Sequence, residues 1–487
     1  MEILLILGTV LFLIFSSLVV KGYQRYSILN AAGHLAVLLL SFKLVAKIIY
    51  SGVAVNCCGI FYADALSGVF IITISVINFA SALYSISYIE QDIKDGHIKD
   101  KKAKVYYLLF NLFALSMFLV PMVNNLGFVW VAIEMTTLVS AFLVGFYNKK
   151  TSIEAAWKYI IICSVGITLA LFGTILFYYA ASRQGGVNTL NWLDMAAVAG
   201  SLDPNIVKVA FIFVLIGYGT KAGLAPMHTW LPDAHSQAPA PISALLSGVL
   251  LKTALYAILR FFIITNNCLN SQFTSNLFII FGLLSLAIAA GFILVQKDIK
   301  RLLAYSSVEH IGIISLGIGF GGVVGLFGAL LHIFNHAVTK SLMFFGVGNI
   351  VKRYGTNNLA AIRGVITAMP FTGVIVLLGV FALAGSVPFS IFISEIVILI
   401  SGFTKGAYFA ASLALVLIGV IFAALVNHFS GILFGRSFAE MPKIKEPLST
   451  KVPLLFLFTF VVILGFVIPG FFFKLFYSAI GVINGNI

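Results

Sequence analysis

The chain has 487 residues, 61% of them hydrophobic and only 9% charged, with a mean hydropathy of +1.09. A water-soluble chain of this length needs a far more polar surface, so the composition excludes a soluble globular fold and predicts one polytopic, all-helical membrane bundle. The net charge of +14 does not point to nucleic acid, because the Lys and Arg sit mainly in short loops between apolar runs, the pattern that orients membrane proteins.

Fourteen spans are predicted, at about 2–21, 28–50, 62–89, 105–122, 124–147, 156–180, 206–228, 237–264, 275–296, 302–320, 322–351, 367–400, 406–433 and 452–480. The opening MEILLILGTV has no basic stretch before it and no small-residue cleavage site, so it reads as a retained first span. Basic loops alternate with nearly uncharged ones. Lys21 and Arg25 form the first, Lys94–Lys104 the second and Lys149–Lys158 the third. Lys297–Arg301, Lys352–Arg363 and Arg436–Lys451, with Lys443 and Lys445, follow. Placed in the cell membrane with these loops in the cytoplasm, both termini lie outside it. No strand, soluble domain or low-complexity tract is expected. Cys57, Cys58, Cys163 and Cys268 form no CxxC pair and have no clustered His, so metal, cluster and disulfide roles are not expected on this chain.

Two spans are interrupted. The seventh breaks at Gly219, Gly223 and Pro226, and the twelfth at Gly385 and Pro388 in AGSVPFS. Glycine and proline free backbone groups, which in lipid must face protein or water. Breaks five spans apart predict two five-helix repeats of opposite topology, spans 4–8 and 9–13. The chain then divides into 1–104, 105–264, 275–433 and 434–487.

A charge at bilayer depth costs roughly 2.5–3.5 kcal/mol on insertion scales, so each buried charge calls for a reason. Glu134 lies mid-span in FVWVAIEMTTLVSAFLVGF, where an acid beside a lysine of a neighbouring helix allows mutual control of charge. Lys221 precedes the first break and is either a proton carrier or a cap for freed carbonyls. Lys252 is too deep to snorkel easily, whereas Arg260, at the end of that span, is expected to reach the head groups. His228, Asp233 and His235 lie in the polar break, and Asp64 at a span end, where capping and function are both open. Glu309 and His310 either extend a path or anchor a partner. His332, His336 and Lys340 fall at i, i+4 and i+8 and share one helical face, the spacing of a proton relay rather than of a metal site, which needs more ligands and an anchoring carboxylate. Glu395 reads either as an exit-side carrier or as a carboxylate in the head groups.

The stretches TKAGLAPMHTWLPDAHSQAPAPISALLSG, LLKTALYAILRF, DIKRLLAYSSVEHIG and HIFNHAVTKSLMFF resemble the antiporter-like membrane subunits shared by respiratory complex I, Mrp-type cation/proton antiporters and group 4 membrane-bound hydrogenases. The resemblance covers about 60–475, and HSQAPAPISALLSG with SSVEHIG is most similar to hydrogenase-4 component F and formate hydrogenlyase-type subunits. It implies fourteen helices, inverted repeats and broken seventh and twelfth helices. It also implies key residues at Glu134, Lys221, Lys252, His332, His336, Lys340 and Glu395, with His228, Asp233, Glu309 and His310 as possible accessories. The implied activity is H⁺ translocation, or Na⁺/H⁺ exchange, coupled to redox chemistry in partner subunits. Those partners are other membrane subunits and hydrophilic nickel–iron or iron–sulfur subunits. This chain itself would hold no cofactor and no catalytic centre. An Mrp-type antiporter subunit without a redox partner is the alternative. No long lateral helix is expected after the fourteenth span.

Overall fold

The computed structural model describes residues 1–184, 186–269, 272–436, 442–443 and 446–485. Lys445, counted above among the loop charges, lies outside the described residues. In chain order the elements are α1 (Glu2–Val19), α2 (Tyr23–Ser51), β1 (Val55–Cys57), β2 (Phe61–Ala63), α3 (Ala65–Lys94), α4 (Asp100–Leu119), α5 (Leu126–Val144), α6 (Lys150–Gln184) and α7 (Trp192–Ala197). Then come α8 (Pro204–Ala222), α9 (Trp230–Gln237), α10 (Ala240–Leu245), α11 (Leu251–Leu269), α12 (Gln272–Leu294), α13 (Ile299–Phe320) and α14 (Gly322–Tyr354). The last are α15 (Val365–Ala368), α16 (Pro370–Leu383), α17 (Ser390–Thr404), α18 (Tyr408–Phe434), α19 (Leu448–Phe466) and α20 (Gly470–Ile483).

Among the described residues, thirteen helical stretches are long and apolar enough to cross a membrane, and the predicted twelfth span is supplied by the two shorter helices α16 and α17. The chain is a multi-pass membrane protein. Short polar side chains start the helices. Asp64, Asn125, Asp203 and Asp298 each accept backbone N–H bonds from the first turns of α3, α5, α8 and α13, meeting donors that a helix cannot satisfy itself. The most apolar windows of Ala240–Leu269 and of α13 are wholly buried, whereas only a third of that of α18 is covered. The central layer of α3, α10, α11, α13 and α14 therefore shields polar side chains, and the outer helices present Leu, Ile, Val and Phe to lipid.

Both expected breaks are present, and they close alike. At the first, Gly223 (φ +83) follows α8, its N–H bonds Thr220 O, and Leu224 N bonds Gly219 O at 2.9 Å. At the second, Gly385 (φ +75) follows α16, its N–H bonds Ala382 O, and Ser386 N bonds Phe381 O at 2.9 Å. This glycine-centred C-terminal closure is what a left-handed residue permits. A proline stands three residues after each glycine, at Pro226 and Pro388, both after a cis bond. The Thr220 carbonyl at the first break accepts from Trp230 Nε1 at 2.8 Å, and beside the second break Asn335 Nδ2 donates to Ser390 O, at the start of α17, at 2.7 Å. The burial requirement at bilayer depth is thus met within the protein.

Three expectations are corrected. The chain does contain strands: β1 and β2 form an antiparallel hairpin that pairs Val55 with Ala63, and α3 starts at Ala65 because Asp64 caps it. A third break separates α19 from α20 at Val467–Pro469, where Pro469 cannot continue the backbone ladder. Finally, the span carrying Lys252 is interrupted by a π-helical turn at Leu246–Leu250. Such turns accommodate one extra residue and re-aim neighbouring side chains.

Candidate functional site

On the first half of the bundle, α8 delivers Lys221 into the core just before its break. The ammonium is wholly buried and donates to Thr137 Oγ1 at 2.8 Å and Tyr159 OH at 2.5 Å. It also sits over the Tyr159 ring, 4.6 Å from its centroid, and 5.9 Å from that of Trp230. Hydroxyl lone pairs and aromatic faces are the two neutral environments that favour an ammonium. Glu134, on α5, is half-buried and accepts from Ser164 Oγ at 3.1 Å, while its Oε2 has no hydrogen-bond partner. No ion pair joins Glu134 to Lys221. Of the two readings of Lys221, capping is not what its bonds do, because the break carbonyl is held by Trp230.

The second half holds a denser group. Lys252 Nζ donates to Ser247 O, at the π turn, at 2.5 Å and stands 2.6 Å from His336 Nδ1. The ring of His336 lies over that of His310, centroids 4.6 Å apart. His310 Nδ1 is 3.0 Å from His332 Nε2, and His332 Nδ1 is 2.9 Å from Ser394 Oγ on α17. Glu395, the next residue of α17, completes the line: a carboxylate oxygen lies within 4.8 Å of the His310 and His332 nitrogens. Lys340 turns away from His336 and bonds Leu303 O and Ser306 Oγ of α13. Every one of these side chains is buried. Glu395 is therefore not in the head groups, and His310 faces inward rather than outward to a partner.

The group lacks protein partners at a recurring set of atoms: Glu134 Oε2, His235 Nε2, His336 Nε2, His310 Nε2, Glu309 Oε2 and Glu395 Oε1. Leaving a buried polar atom unpaired costs about 1–3 kcal/mol, and native interiors hold few such atoms. Six such atoms on titratable side chains are a departure from the well-paired interior of most proteins. His235 stands between the halves. Its Nδ1 is 2.8 Å from Leu231 O, and its ring packs between Trp230 and Phe344. His310, His332 and Glu395 also bring the anchoring carboxylate that a metal site needs and that the sequence did not reveal. Both ring nitrogens of His332 are already engaged by His310 and Ser394, so an ion there would have to displace one of them.

Polar cavities open on the face of the basic loops. On the face of the basic loops, a cavity of about 350 Å³ is lined by Tyr88, Asp92, Tyr147, Lys300, Lys352 and Ala238 among others. Lys300 closes its floor, donating to Ala238 O at 2.7 Å and Ser236 O at 3.3 Å, one residue beyond His235. A second cavity of about 350 Å³ surrounds Asp233, which pairs with Arg301 at 2.9 Å and Lys158 at 3.4 Å. Burial pushes the nearby Asp298 carboxyl above its usual range. His228 is buried beside Tyr305 with Nδ1 unpaired. Two residues escaped sequence reasoning. Lys300 was counted as a loop charge, and Asp92, which holds Lys352 at 2.9 Å, lies beyond the expected end of its span. The signal available was the position of Lys300 inside DIKRLLAYSSVEHIG, two residues after a capping Asp. Arg260 corrects a further expectation. It does not snorkel but is buried in a two-pronged ion pair with Asp64 at 2.7 and 2.8 Å, stacked 4.2 Å from the Trp192 ring centroid.

Comparison with known proteins places this architecture. The family described as NADH:quinone oxidoreductase/Mrp antiporter, transmembrane, matches residues 123–425, the region holding both breaks and the seven key residues expected from the sequence. The chain belongs to this antiporter-like membrane family. A hydrogenase-4 component F homolog of Methylacidiphilum infernorum is 41% identical over 411 residues, covering 84% of this chain and 86% of that protein. The fold matches a chain of an archaeal membrane-bound sulfane sulfur reductase with a TM-score of 0.88 at 23% identity, covering 100% of this chain and 97% of that one. It also matches a chain of the Mrp complex of a Dietzia species with a TM-score of 0.86 at 21% identity, covering 99% and 97%. As an antiporter-like subunit, the chain carries buried charges consistent with proton translocation.

Proposed function

We propose that the chain moves protons across the cell membrane along the buried line Glu134, Lys221, Lys252, His336, His332 and Glu395, with Lys340, His310 and Glu309 alongside. The observation that carries this reading is the set of unpartnered atoms on Glu134, His336 and Glu395, with those on His310 and Glu309 alongside. Each is a position where a proton can be received or released, by water or by side-chain rotation, without breaking a bond that holds the fold. With the basic loops facing the cytoplasm, protons enter through the cavities floored by Lys300 and Asp233, pass His235, and reach Lys221 and Lys252. The Lys252–His336 contact hands charge to the imidazole group, and Glu395 releases it toward the other face. In this reading the two breaks belong to two inverted five-helix units, each supplying half the path. The axis is rich in Lys and His and poor in clustered oxygens, which favours H⁺ over Na⁺ as the cargo.

The driving force comes from redox chemistry on partner subunits, as the likeness to a hydrogenase-4 component and to a chain of a sulfane sulfur reductase complex supports. The test uses the assembled complex in sealed vesicles, with acidification followed by a pH-sensitive dye during electron transfer. Lys221→Ala and Glu134→Ala are expected to abolish the pH gradient while electron transfer through the partners persists. Unchanged gradients in both variants would rule the path out. Purification of the chain with no nickel–iron or iron–sulfur subunit attached would instead support an antiporter acting without a redox partner.

A further inference from the structure

Two thiols that the buried axis does not use stand at the tip of the β1–β2 hairpin. Cys57 ends β1 and is half-buried, and Cys58 begins the turn and is exposed. The hairpin follows α2, whose other end adjoins the basic loop Lys21–Arg25, so it projects on the opposite face. Successive strand residues point to opposite sides, and adjacent thiols therefore diverge as a rule. Here Cys58 adopts φ +57 and Gly59 φ +70, left-handed values uncommon for side-chain-bearing residues. This backbone turns the two sulfurs back to 3.8 Å from each other.

That spacing suits chelation. Two thiolates that each bond one shared centre at about 2.3 Å can stand at most about 4.6 Å apart, so 3.8 Å lets both reach it. A disulfide suits the pair less well, since consecutive Cα atoms lie about 3.8 Å apart and ordinary disulfides need at least about 4.4 Å. Both cysteines are free in the structure. No His, Asp or Glu joins the two sulfurs in a cluster of three or more ligands among the described residues, which disfavours zinc and leaves soft centres that accept two sulfur ligands. We propose that Cys57 and Cys58 form a two-thiolate binding site for soft, thiophilic centres such as cuprous ion or a trivalent arsenical. With an arylarsenous oxide, both S–H bonds break, two As–S bonds form and one water leaves, with no change of oxidation state. With a metal ion, two protons are released. Cys58 beside it holds the Cys57 thiol above its usual range. This site is independent of the transport reading.

The experiment uses the reduced, full-length protein in detergent with phenylarsine oxide as probe, read by intact mass and competed with ethanedithiol. One adduct per chain is expected, with the mass of the probe less one water. Cys57→Ser and Cys58→Ser should each weaken it at least about a hundredfold, because the second sulfur then acts at no effective concentration. Cys163→Ser and Cys268→Ser should leave it intact. The proposal is overturned if either single hairpin variant binds as tightly as the parent, if the adduct survives loss of both hairpin thiols, or if the untreated chain is lighter by two hydrogens and inert, as a vicinal disulfide would be.

Discussion

The two breaks share one backbone solution but serve opposite chemistries. The first sets a cation among neutral acceptors: Lys221 has two hydroxyls and two aromatic faces, and its nearest acid candidate is bonded elsewhere. The second sets an acid among imidazoles: Glu395 has an oxygen with no partner and faces His310 and His332. A left-handed glycine and a proline three residues on fix where the chain turns, and the residues around the turn decide what charge it can hold. Scaffold and chemistry are separable here, and the difference between the halves can be tested at each level.

The largest effect is expected where the halves meet. Lys252→Ala removes the ammonium beside His336 Nδ1 and cuts the line between them. Proton transport by the complex should fall to background, while electron transfer and assembly remain measurable. Transport above half of the parent's would mean that the second half runs without the first. Next come the break glycines. A Cβ at Gly385 would strike the Glu395 carboxylate, whereas one at Gly223 would meet only the side-chain tip of Leu231 at 2.6 Å. Both alanines strain a left-handed residue by about 1–2 kcal/mol. Only Gly385→Ala should cut transport by about tenfold or more, and Gly223→Ala should lower thermal stability with transport retained. Equal losses of transport would erase the distinction drawn between the breaks.

Much of the scaffold was legible in the sequence because lipid leaves so few alternatives. Apolar length gives the spans, Gly and Pro give the two main breaks, and i, i+4 spacing put His332 and His336 on one face. The misreadings share a cause, since each depends on a partner far away in sequence. Arg260 at a span end read as snorkelling because nothing local announced Asp64, 196 residues earlier. Lys300 read as a loop charge because its acceptors, the carbonyls of Ser236 and Ala238, belong to another segment. The contact of Glu395 with the imidazoles needed α17 to be placed against α13 and α14. Hydropathy reports how deep a residue lies, and it is silent on which helix faces it.

Tyr159→Phe sharpens the comparison from the other side. It removes one of the two hydroxyls that accept from Lys221 yet keeps the ring beneath the ammonium. A hydrogen bond to a charged group is worth about 1.5–3 kcal/mol, so transport should fall roughly tenfold, less than for loss of a charge. The matching change in the second half, Ser394→Ala, takes a hydroxyl from a ring that keeps His310 as a partner, and its effect should be smaller. If Ser394→Ala proves the more damaging, the hydroxyls do not mark the cation-holding half.

The smallest effect is expected at the exposed bridge between the halves. Asp233, at the end of the first break, pairs with Arg301 at the start of α13 and with Lys158 of α6. If the halves were coupled through this ion pair, Asp233→Asn would separate them and transport would collapse. Exposed ion pairs contribute only about 0–1 kcal/mol, and the side chain lies beside a polar cavity rather than in the buried line. Asp233→Asn should therefore change transport by less than about threefold, with the loss growing at low salt, where surface charge is least screened. A loss as deep as that of Lys252→Ala would move Asp233 into the proton path and the boundary between scaffold and chemistry out to the basic face.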